Sequence, residues 1–218
     1  MSQRLHVFYG GSFDPVHNGH LAIAQVVRDR LHADVSLLPA GAPPHKAGTH
    51  ASGEQRAEML ELAIANMANI RVDHRELRRA GPSYTVDTLA ELRAELGPQA
   101  PIAWLIGADS LLQLHTWQRW ETLFDLAHIV AVRRPNTALD AQRLRADAPS
   151  VLAKINGRWL PPEALTDSPA GGFSLISLPE LRPESSSELR QRIAQGENWQ
   201  AWLPPSVVAY IERFNLYR

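Results

Sequence analysis

The sequence predicts a doubly wound α/β fold, in which a mostly parallel sheet carries helices on both faces. Short apolar runs that suit buried strands alternate along the chain with longer segments whose apolar residues recur every three or four positions. This alternation implies right-handed βαβ crossovers and a largely parallel sheet. With 218 residues, 44% of them hydrophobic, the chain is long enough to bury a core and is expected to form a single domain.

The first strands and helices are predicted from periodicity and from turn signals. In the first helix Ile23, Val27 and Leu31 recur at four-residue intervals and form an apolar stripe. Gly97 and Pro98 mark the end of the third helix. Strands are predicted at 5–9, 35–38 and, more weakly, 70–73, and helices at 21–31, 55–66 and 83–96.

The second half of the chain continues the alternation after one irregular excursion. The strands predicted at 102–106 and 128–132 are continuous and apolar, which is typical of strands buried on both faces. Between 135 and 169 the sequence is irregular apart from a predicted helix at 140–146, and we expect the segment at about 137–172 to be peripheral. The last predicted elements are a strand at 173–178 and helices at 185–195 and 205–214.

The composition excludes several classes of function. The 22 basic and 23 acidic residues give a formal charge of -1, which argues against a nucleic-acid partner. The absence of cysteine excludes disulfides, cysteine-ligated metals and thiolate catalysis. The apolar runs are far shorter than the roughly 20 residues that span a bilayer, and the first residues lack the apolar stretch of a secretory signal. We therefore expect a cytoplasmic protein without a membrane partner.

The loop between the first predicted strand and helix is the most unusual segment, and it contains Gly10, Gly11, Ser12, Phe13, Asp14, Pro15, Val16, His17, Asn18, Gly19 and His20. In an open parallel sheet, ligands bind at this position. Glycines allow backbone N–H groups to approach an anion, and the helix N-terminus adds a partial positive charge. Because His17 and His20 are three residues apart, they share one face of the helix. The loop is therefore predicted to bind a phosphate.

Two other interpretations of this loop are less well supported. The loop matches neither a Walker A motif nor a Gly-x-Gly-x-x-Gly fingerprint, which disfavours simple kinases and dehydrogenases. A metal site formed by Asp14, His17 and His20 is an alternative, but it lacks the His-Glu-x-x-His arrangement that supplies a catalytic base.

Later segments are candidates for contacts with a nucleotide, and most have a structural alternative. Lys46 follows a proline-rich loop after the second strand, where it is suited to a phosphate or is simply solvated. Ser83-Tyr84-Thr85 opens the predicted helix after Gly81-Pro82, and its hydroxyls could act as caps. Asp109 follows Gly107 at the end of the fourth strand and could accept from ribose hydroxyls or cap the next helix. Trp117 offers a flat apolar face for a heteroaromatic ring.

The segment from Gly11 to His20 resembles the phosphate-binding motif of the nucleotidyltransferase superfamily that shares the sequence His-x-Gly-His. This superfamily includes pantetheine-phosphate adenylyltransferases and cytidylyltransferases. Further segments narrow the resemblance to the bacterial nicotinate mononucleotide adenylyltransferases, and it runs almost end to end. They include Pro43-Pro44-His45-Lys46, Pro82-Ser83-Tyr84-Thr85, Gly107-Ala108-Asp109-Ser110, Thr116-Trp117 and Arg133-Arg134-Pro135.

A late segment departs slightly from that family. The family usually has Ile-Ser-Ser-Thr-x-Ile-Arg, whereas this chain has Glu184 and Ser187 in place of the first Ile and the Thr. Ser187 keeps a hydroxyl at its position. The same segment is also typical of a capping box, with Ser185 and Glu188 three residues apart at a helix start. Both interpretations can hold, because a capped helix start still presents N–H donors to a phosphate.

The resemblance implies transfer of AMP from ATP to nicotinate mononucleotide, with release of pyrophosphate and with Mg²⁺ accompanying the ATP. It implies catalytic roles for His17, His20, Lys46 and Arg190. The implied ATP contacts are Gly10, Gly11, Ser12, Phe13, His17, His20, Gly107, Asp109, Ser186, Ser187 and Arg190. The implied nicotinate mononucleotide contacts are Gly11, Ser12, His45, Lys46, Tyr84, Thr85, Trp117 and Arg134.

The residues alone leave other functions open. One is a sister adenylyl- or cytidylyltransferase with another phosphorylated acceptor, such as nicotinamide mononucleotide or phosphopantetheine. The others are a histidine-ligated metal hydrolase and a nucleotide-binding module without activity. The residues also do not decide between the acid and the amide mononucleotide, or whether the chain forms a homo-oligomer.

Overall fold

A computed structural model of the protein describes residues 4–41, 49–133, 135, 140–180 and 182–218. Within these residues six parallel strands pair in the order β3-β2-β1-β4-β5-β6. The strands are β1 (His6–Gly11), β2 (Asp34–Pro39), β3 (Ile70–Val72), β4 (Ile102–Gly107), β5 (His128–Arg133) and β6 (Phe173–Ser177). The chain builds outward from β1 to β3, returns to pair β4 with β1, and then builds outward to β6. The predicted doubly wound fold is thereby confirmed.

Helices connect the strands and cover the sheet. Those that the structure describes are α1 (Asn18–Leu31), α2 (Gly53–Ile64), α3 (Arg75–Arg78), α4 (Thr85–Leu96), α5 (Ala108–Leu112), α6 (Leu123–Leu126), α7 (Ala141–Asp147), α8 (Pro149–Ile155), α9 (Ser186–Gln195) and α10 (Pro205–Phe214). Across the described ranges, no helix combines the length and the apolar character needed to cross a membrane.

Each face of the sheet has its own apolar core, because successive strand residues point to opposite faces. Val7 and Tyr9 of β1 pack in the core that α1, α2, α9 and α10 cover. Phe8, between them, packs in the core that α4 to α8 cover. The predicted stripe of α1 is confirmed, since Ile23 and Leu31 are buried in the first of these cores together with the rest of that helix face.

The sequence prediction was wrong for part of the segment between β5 and β6. Helix α7 lies close to the predicted 140–146, but the prediction treats the residues that form α8 as irregular. Pro149 is well placed at the first turn of α8, and Val151 and Ile155 are fully buried against the second core. The short helices α3, α5 and α6 were also not predicted, because four or five residues are too few to show a helical period.

The order of the strands creates a crevice between β1 and β4. These strands are neighbours, but the connection after β1 and the connection after β4 run to opposite sides of the sheet. In doubly wound sheets, ligands bind at the carboxyl ends of the strands at such a switch point. Residues that follow Gly11 and residues that follow Gly107 therefore meet at one edge of the sheet.

Candidate active site

A cavity of about 380 Å³ opens at this switch point. Four parts of the chain line it: the end of β1 with its following loop, the end of β4 with α5, the first turns of α1, and the N-terminus of α9. The predicted residues among its lining are Gly10, Gly11, Ser12, Phe13, His17, His20, Gly107, Asp109, Trp117, Ser186 and Ser187. The structure thus brings together residues that are up to 177 positions apart in the chain.

Close packing explains the glycines at the end of β1. A Cβ atom on Gly10 would lie 2.6 Å from Cζ2 of Trp104, which is too close for any side chain. A Cβ on Gly11 would lie 3.1 Å from the ring of Phe13. Packing against these two rings therefore accounts for the small residues at this strand end, and both glycines line the cavity.

The two histidines stack at the start of α1. His17 is the N-cap residue, His20 is in the first turn, and their ring centroids are 3.7 Å apart. The backbone N–H of His17 donates to Nδ1 of His20 at 3.3 Å. Because Nδ1 is the acceptor, a neutral His20 ring carries its proton on Nε2. The Phe13 and His20 rings pack in a T-shaped arrangement with centroids 5.0 Å apart, which helps to hold the orientation of His20.

Asp14, proposed above as a metal ligand in one alternative, is used differently in the structure. Its buried carboxylate accepts hydrogen bonds from the backbone N–H of His50 at 2.8 Å, the backbone N–H of Ala51 at 3.1 Å and the hydroxyl of Tyr217 at 2.8 Å. Burial and the adjacent Asp14 carboxylate raise the pKa of Tyr217 far above its ordinary range, so this hydroxyl stays a donor. In the part of the chain that the structure describes, no cluster of three His, Cys, Asp or Glu side chains could hold a metal ion.

The N-terminus of α9 forms the opposite wall of the cavity. Ser185 is its N-cap, and the Ser185 side chain accepts from the backbone N–H of Glu188 at 3.2 Å. This is one half of the predicted capping box, and the Glu188 carboxylate accepts from Arg192 at 2.7 Å. Ser186 donates its hydroxyl hydrogen to the carbonyl of Pro15 at 2.9 Å. This bond ties the helix start to the loop after β1, so that the N–H donors of α9 and the glycine backbone face one cavity.

Arg190 lies next to this cavity rather than in its lining. Its Nη1 donates to the carbonyl of Asp14 at 2.6 Å, and its Nη2 lies 3.5 Å from the Ser187 hydroxyl. Arg190 lines a neighbouring cavity of about 530 Å³ together with His50, Tyr217 and Arg218. Ser187 lines both cavities, so the two lie side by side at the N-terminus of α9.

The end of β4 contributes a carboxylate and an aromatic face. Gly107 is the N-cap of α5, and Asp109 lies inside the first turn of that helix, so Asp109 is not the cap that one interpretation expected. Among the described residues that line the cavity, Asp109 supplies the carboxylate. Trp117 is half-buried and packs against the second core while it lines the cavity.

Other predicted residues lie elsewhere. Tyr84 is the N-cap of α4 and Thr85 is its first residue, and neither is in the lining of the cavity. The Tyr84 side chain makes no capping bond, and the Ser83 hydroxyl instead accepts from the backbone N–H of Gly41 at 3.2 Å. Contacts of His45, Lys46 and Arg134 fall outside the described residues.

Several lining residues were not predicted from the sequence, namely Tyr9, Ile23, Leu105, Ile106, Ala108, Ser110, Val132 and Ser185. Most of them lie at or just after the carboxyl end of a strand, where the fold class predicts ligand contacts. Leu105, Ile106 and Val132 lie at the carboxyl ends of predicted strands, where ligands bind in an open α/β sheet, so their positions were a usable signal. Ile23 has no such signal, since its spacing marks it only as a core residue of α1.

A glycine-containing loop and a helix N-terminus that face each other at the switch point of a doubly wound sheet are typical of a nucleotide-binding α/β protein. Residues 8–192 match the family described as cytidylyltransferase-like. The chain belongs to this family and, within it, to the nicotinate-nucleotide adenylyltransferases, so the family predicted from the sequence is confirmed.

Relatives in sequence and in structure cover nearly the whole chain. A probable nicotinate-nucleotide adenylyltransferase of Stenotrophomonas maltophilia is 51% identical over 98% of this chain and 97% of its own length. Another, from Chromobacterium violaceum, is 44% identical over 100% of both chains. The solved structure of Plasmodium falciparum nicotinic acid mononucleotide adenylyltransferase complexed with NaAD superimposes with a TM-score of 0.74 over 98% of this chain and 97% of its own, at 20% identity.

Proposed function

We propose that this protein transfers AMP from ATP to nicotinate mononucleotide, which yields nicotinate adenine dinucleotide and pyrophosphate. The observation that carries the proposal is the stacked pair of His17 and His20, set between a glycine backbone and the N-terminus of α9 in one cavity. This arrangement suits a chain of phosphates, and the relatives described above are named for this reaction.

The proposed reaction requires positioning rather than activation of a nucleophile. The second pKa of a phosphate monoester is about 6, so the attacking phosphate of nicotinate mononucleotide is already largely ionised at neutral pH. Catalysis then consists of holding that phosphate, the α-phosphorus and the departing pyrophosphate in line while positive charge and N–H donors stabilise the transition state.

The geometry supports a division of these tasks among the lining residues. The Nε2–H donor of a neutral His20, or the cation of a protonated one, would contact the transferring phosphate, with His17 behind it. Ser186, Ser187 and Arg190 would bind the outer phosphates of ATP from the other wall. Asp109 would accept hydrogen bonds from the adenylate ribose, and the glycines with Ser12 and Phe13 would contact the nucleotide through the loop after β1.

The second substrate is proposed to bind beside the first. Trp117 would stack on the nicotinate ring, and backbone donors near Tyr84 and Thr85 would receive its carboxylate. His45, Lys46 and Arg134 keep their proposed roles at the phosphate of nicotinate mononucleotide. The hydrogen bond between Gly41 and Ser83 supports this arrangement, because it joins the start of the loop after β2 to the start of α4.

Mg²⁺ is proposed to arrive with ATP rather than to reside in the protein. The described lining of the cavity supplies Asp109 as its carboxylate, which suits a cation held mainly by phosphate oxygens. When bound, the ion would neutralise part of the negative charge of the nucleotide. The cytoplasmic location and the oligomeric state stay predictions.

The test is pyrophosphate release from ATP and Mg²⁺, with nicotinate mononucleotide and nicotinamide mononucleotide assayed in parallel. We expect release with the acid, much weaker release with the amide, and loss of release in His20→Ala. Release with neither mononucleotide but with another phosphorylated acceptor would indicate a sister transferase. ATP binding without release under any acceptor would indicate a binding module.

A further inference from the structure

A fully buried arginine joins the two loops that the proposed function assigns to the two substrates. Arg56 of α2 is 0% exposed. Its Nη1 donates to the carbonyl of Ser12, in the loop after β1, at 2.7 Å. Its Nη2 donates to the carbonyl of Ala40, which directly follows β2, also at 2.7 Å. One planar guanidinium therefore fixes the separation of two carbonyl oxygens on neighbouring loops.

The burial of this charge is costly, and the structure compensates it locally. Burial lowers the pKa of Arg56, and the nearby Asp14 carboxylate opposes that change. A buried charge of this kind is weak support for stability, because an apolar side chain of similar volume often serves packing equally well. The role of Arg56 is therefore sought in its two directional hydrogen bonds, to the carbonyls of Ser12 and Ala40.

Asp14 and Tyr217 extend this contact to two further segments. The Asp14 carboxylate bonds the backbone of His50 and Ala51 just before α2, and it receives the hydroxyl of Tyr217 near the end of the chain. The cluster of Arg56, Asp14 and Tyr217 thus connects the loop after β1, the loop after β2 on both of its sides, and the residues after α10.

We propose that Arg56, supported by Asp14 and Tyr217, is a positioning residue that sets the distance between two carbonyls: that of Ser12, in the loop proposed to bind ATP, and that of Ala40, at the end of β2 beside the residues proposed to bind nicotinate mononucleotide. The proposal rests on the proposed function. In-line transfer is sensitive to this distance, since a misplacement of about 1 Å can lower a rate about 100-fold. Arg56 acts through the backbone and touches neither substrate.

The test compares Arg56→Lys with a matched control, Arg93→Lys. The guanidinium of Arg93 also donates hydrogen bonds to backbone carbonyls, at 2.6 Å to Ala100, 2.6 Å to Leu126 and 2.8 Å to Pro169. These carbonyls lie before the amino ends of β4, β5 and β6, away from the cavity. Both variants keep the positive charge but lose the planar guanidinium that bonds several carbonyls at once. Both therefore remove hydrogen bonds to the backbone, at a buried site for Arg56 and at a half-buried site for Arg93.

For Arg56→Lys we expect kcat to fall about 10- to 100-fold, because the loops lose their fixed separation. Calorimetric Kd values for a non-hydrolysable ATP analogue alone and for nicotinate mononucleotide alone should change less than 3-fold, because each loop still binds its own substrate. For Arg93→Lys we expect a lower Tm but a kcat within 2-fold of the wild type. A wild-type kcat in Arg56→Lys, or an equal loss in Arg93→Lys, would refute the positioning role.

Tyr217→Phe tests the same cluster if Arg56→Lys does not fold. It removes one hydroxyl bond to Asp14 and keeps the ring, so we expect kcat to fall about 3- to 10-fold with unchanged single-substrate Kd values. An unchanged kcat would overturn the proposal. Wild-type protein that releases no pyrophosphate would refute the proposed function and this inference together, whereas an active wild type with unaffected variants refutes the inference alone.

Discussion

His17 and His20 act as a pair because of where α1 begins. The N-cap position turns the backbone N–H of His17 towards Nδ1 of His20, and the 3.7 Å stack holds both rings together. Every atom in this arrangement lies within four consecutive residues. It is therefore a local structure, which is why the spacing of the two histidines predicted that they share one face, although it did not predict the stacking or the hydrogen bond.

We expect His20→Ala to lower kcat by about 100- to 10,000-fold, which corresponds to roughly 3–5 kcal/mol of lost transition-state stabilisation. The variant loses a donor that is held in place before the phosphate arrives. Steady-state kinetics of pyrophosphate release measures the effect, and Tm checks that the fold persists. Normal turnover in this variant would remove His20 from the catalytic site.

Arg190→Ala is expected mainly to raise the KM for ATP, since Arg190 borders the cavity at its α9 wall and is proposed to bind the outer phosphates. Arg192→Ala is the matched control on the same helix. Arg192 pairs with Glu188 at 2.7 Å and lies over the Trp202 ring, so its loss should leave the KM for ATP unchanged. An unchanged KM in Arg190→Ala would assign Arg190 a structural role.

At the scale of elements, the ends of β1 and β4 place two glycines in different surroundings. Gly10 faces Trp104 closely, whereas nothing lies within 4 Å of a Cβ built on Gly107. The first glycine is required by packing inside the protein. Packing inside the protein would also allow a small side chain at Gly107, and Gly107 lines the cavity.

We therefore expect Gly10→Ala to reduce the free energy of unfolding by about 1–3 kcal/mol, as overpacking of a core does. Gly107→Ala should leave the free energy of unfolding nearly unchanged and raise the KM for ATP, because the added methyl group occupies space that the nucleotide would approach. Urea denaturation and steady-state kinetics measure the two effects. Equal stability of both variants would contradict the packing argument.

At the scale of the whole molecule, the ring of His128, at the start of β5, is hydrogen-bonded to the segment that precedes β6. Its Nε2 lies 2.9 Å from the carbonyl of Ser168, and its Nδ1 accepts from the backbone N–H of Gly172 at 2.9 Å. A neutral ring with its proton on Nε2 satisfies both bonds. Burial lowers the pKa of His128, and it also lowers the pKa of the half-buried His6.

These lowered pKa values predict a loss of stability in mild acid. The unfolded chain takes up the proton near pH 6.5, whereas the folded chain resists it, so the free energy of unfolding should fall as the pH drops below 6.5. The loss continues until the pH reaches the lower pKa of the folded state. One group contributes at most about 1.4 kcal/mol per pH unit.

His128→Gln should flatten this pH dependence, although the variant is less stable at neutral pH because it loses a buried bond. The matched control is His115→Gln, since His115 is exposed and its replacement should leave the pH dependence unchanged. Urea denaturation between pH 5 and pH 8 measures both. The same slope in His128→Gln as in the wild type would assign the acid sensitivity to other groups.

Features that depend on neighbouring residues could be predicted from the sequence alone. The strands, the long helices, the glycine loop after β1 with its histidine pair and the Ser185 cap all follow from periods or spacings within about a dozen residues. The family resemblance added proposed roles for residues such as Asp109 and Trp117, and both line the cavity at the switch point.

Contacts between distant segments could not be predicted from the sequence and became known from the folded structure. Arg56 reaches Ser12 across 44 positions, and Tyr217 reaches Asp14 across 203. Helix α8 also depends on distant segments, because its burial against the second core stabilises it more than the helix propensity of its seven residues does. Such contacts leave no local period in the sequence, since their energy comes from groups that meet only when the sheet has formed.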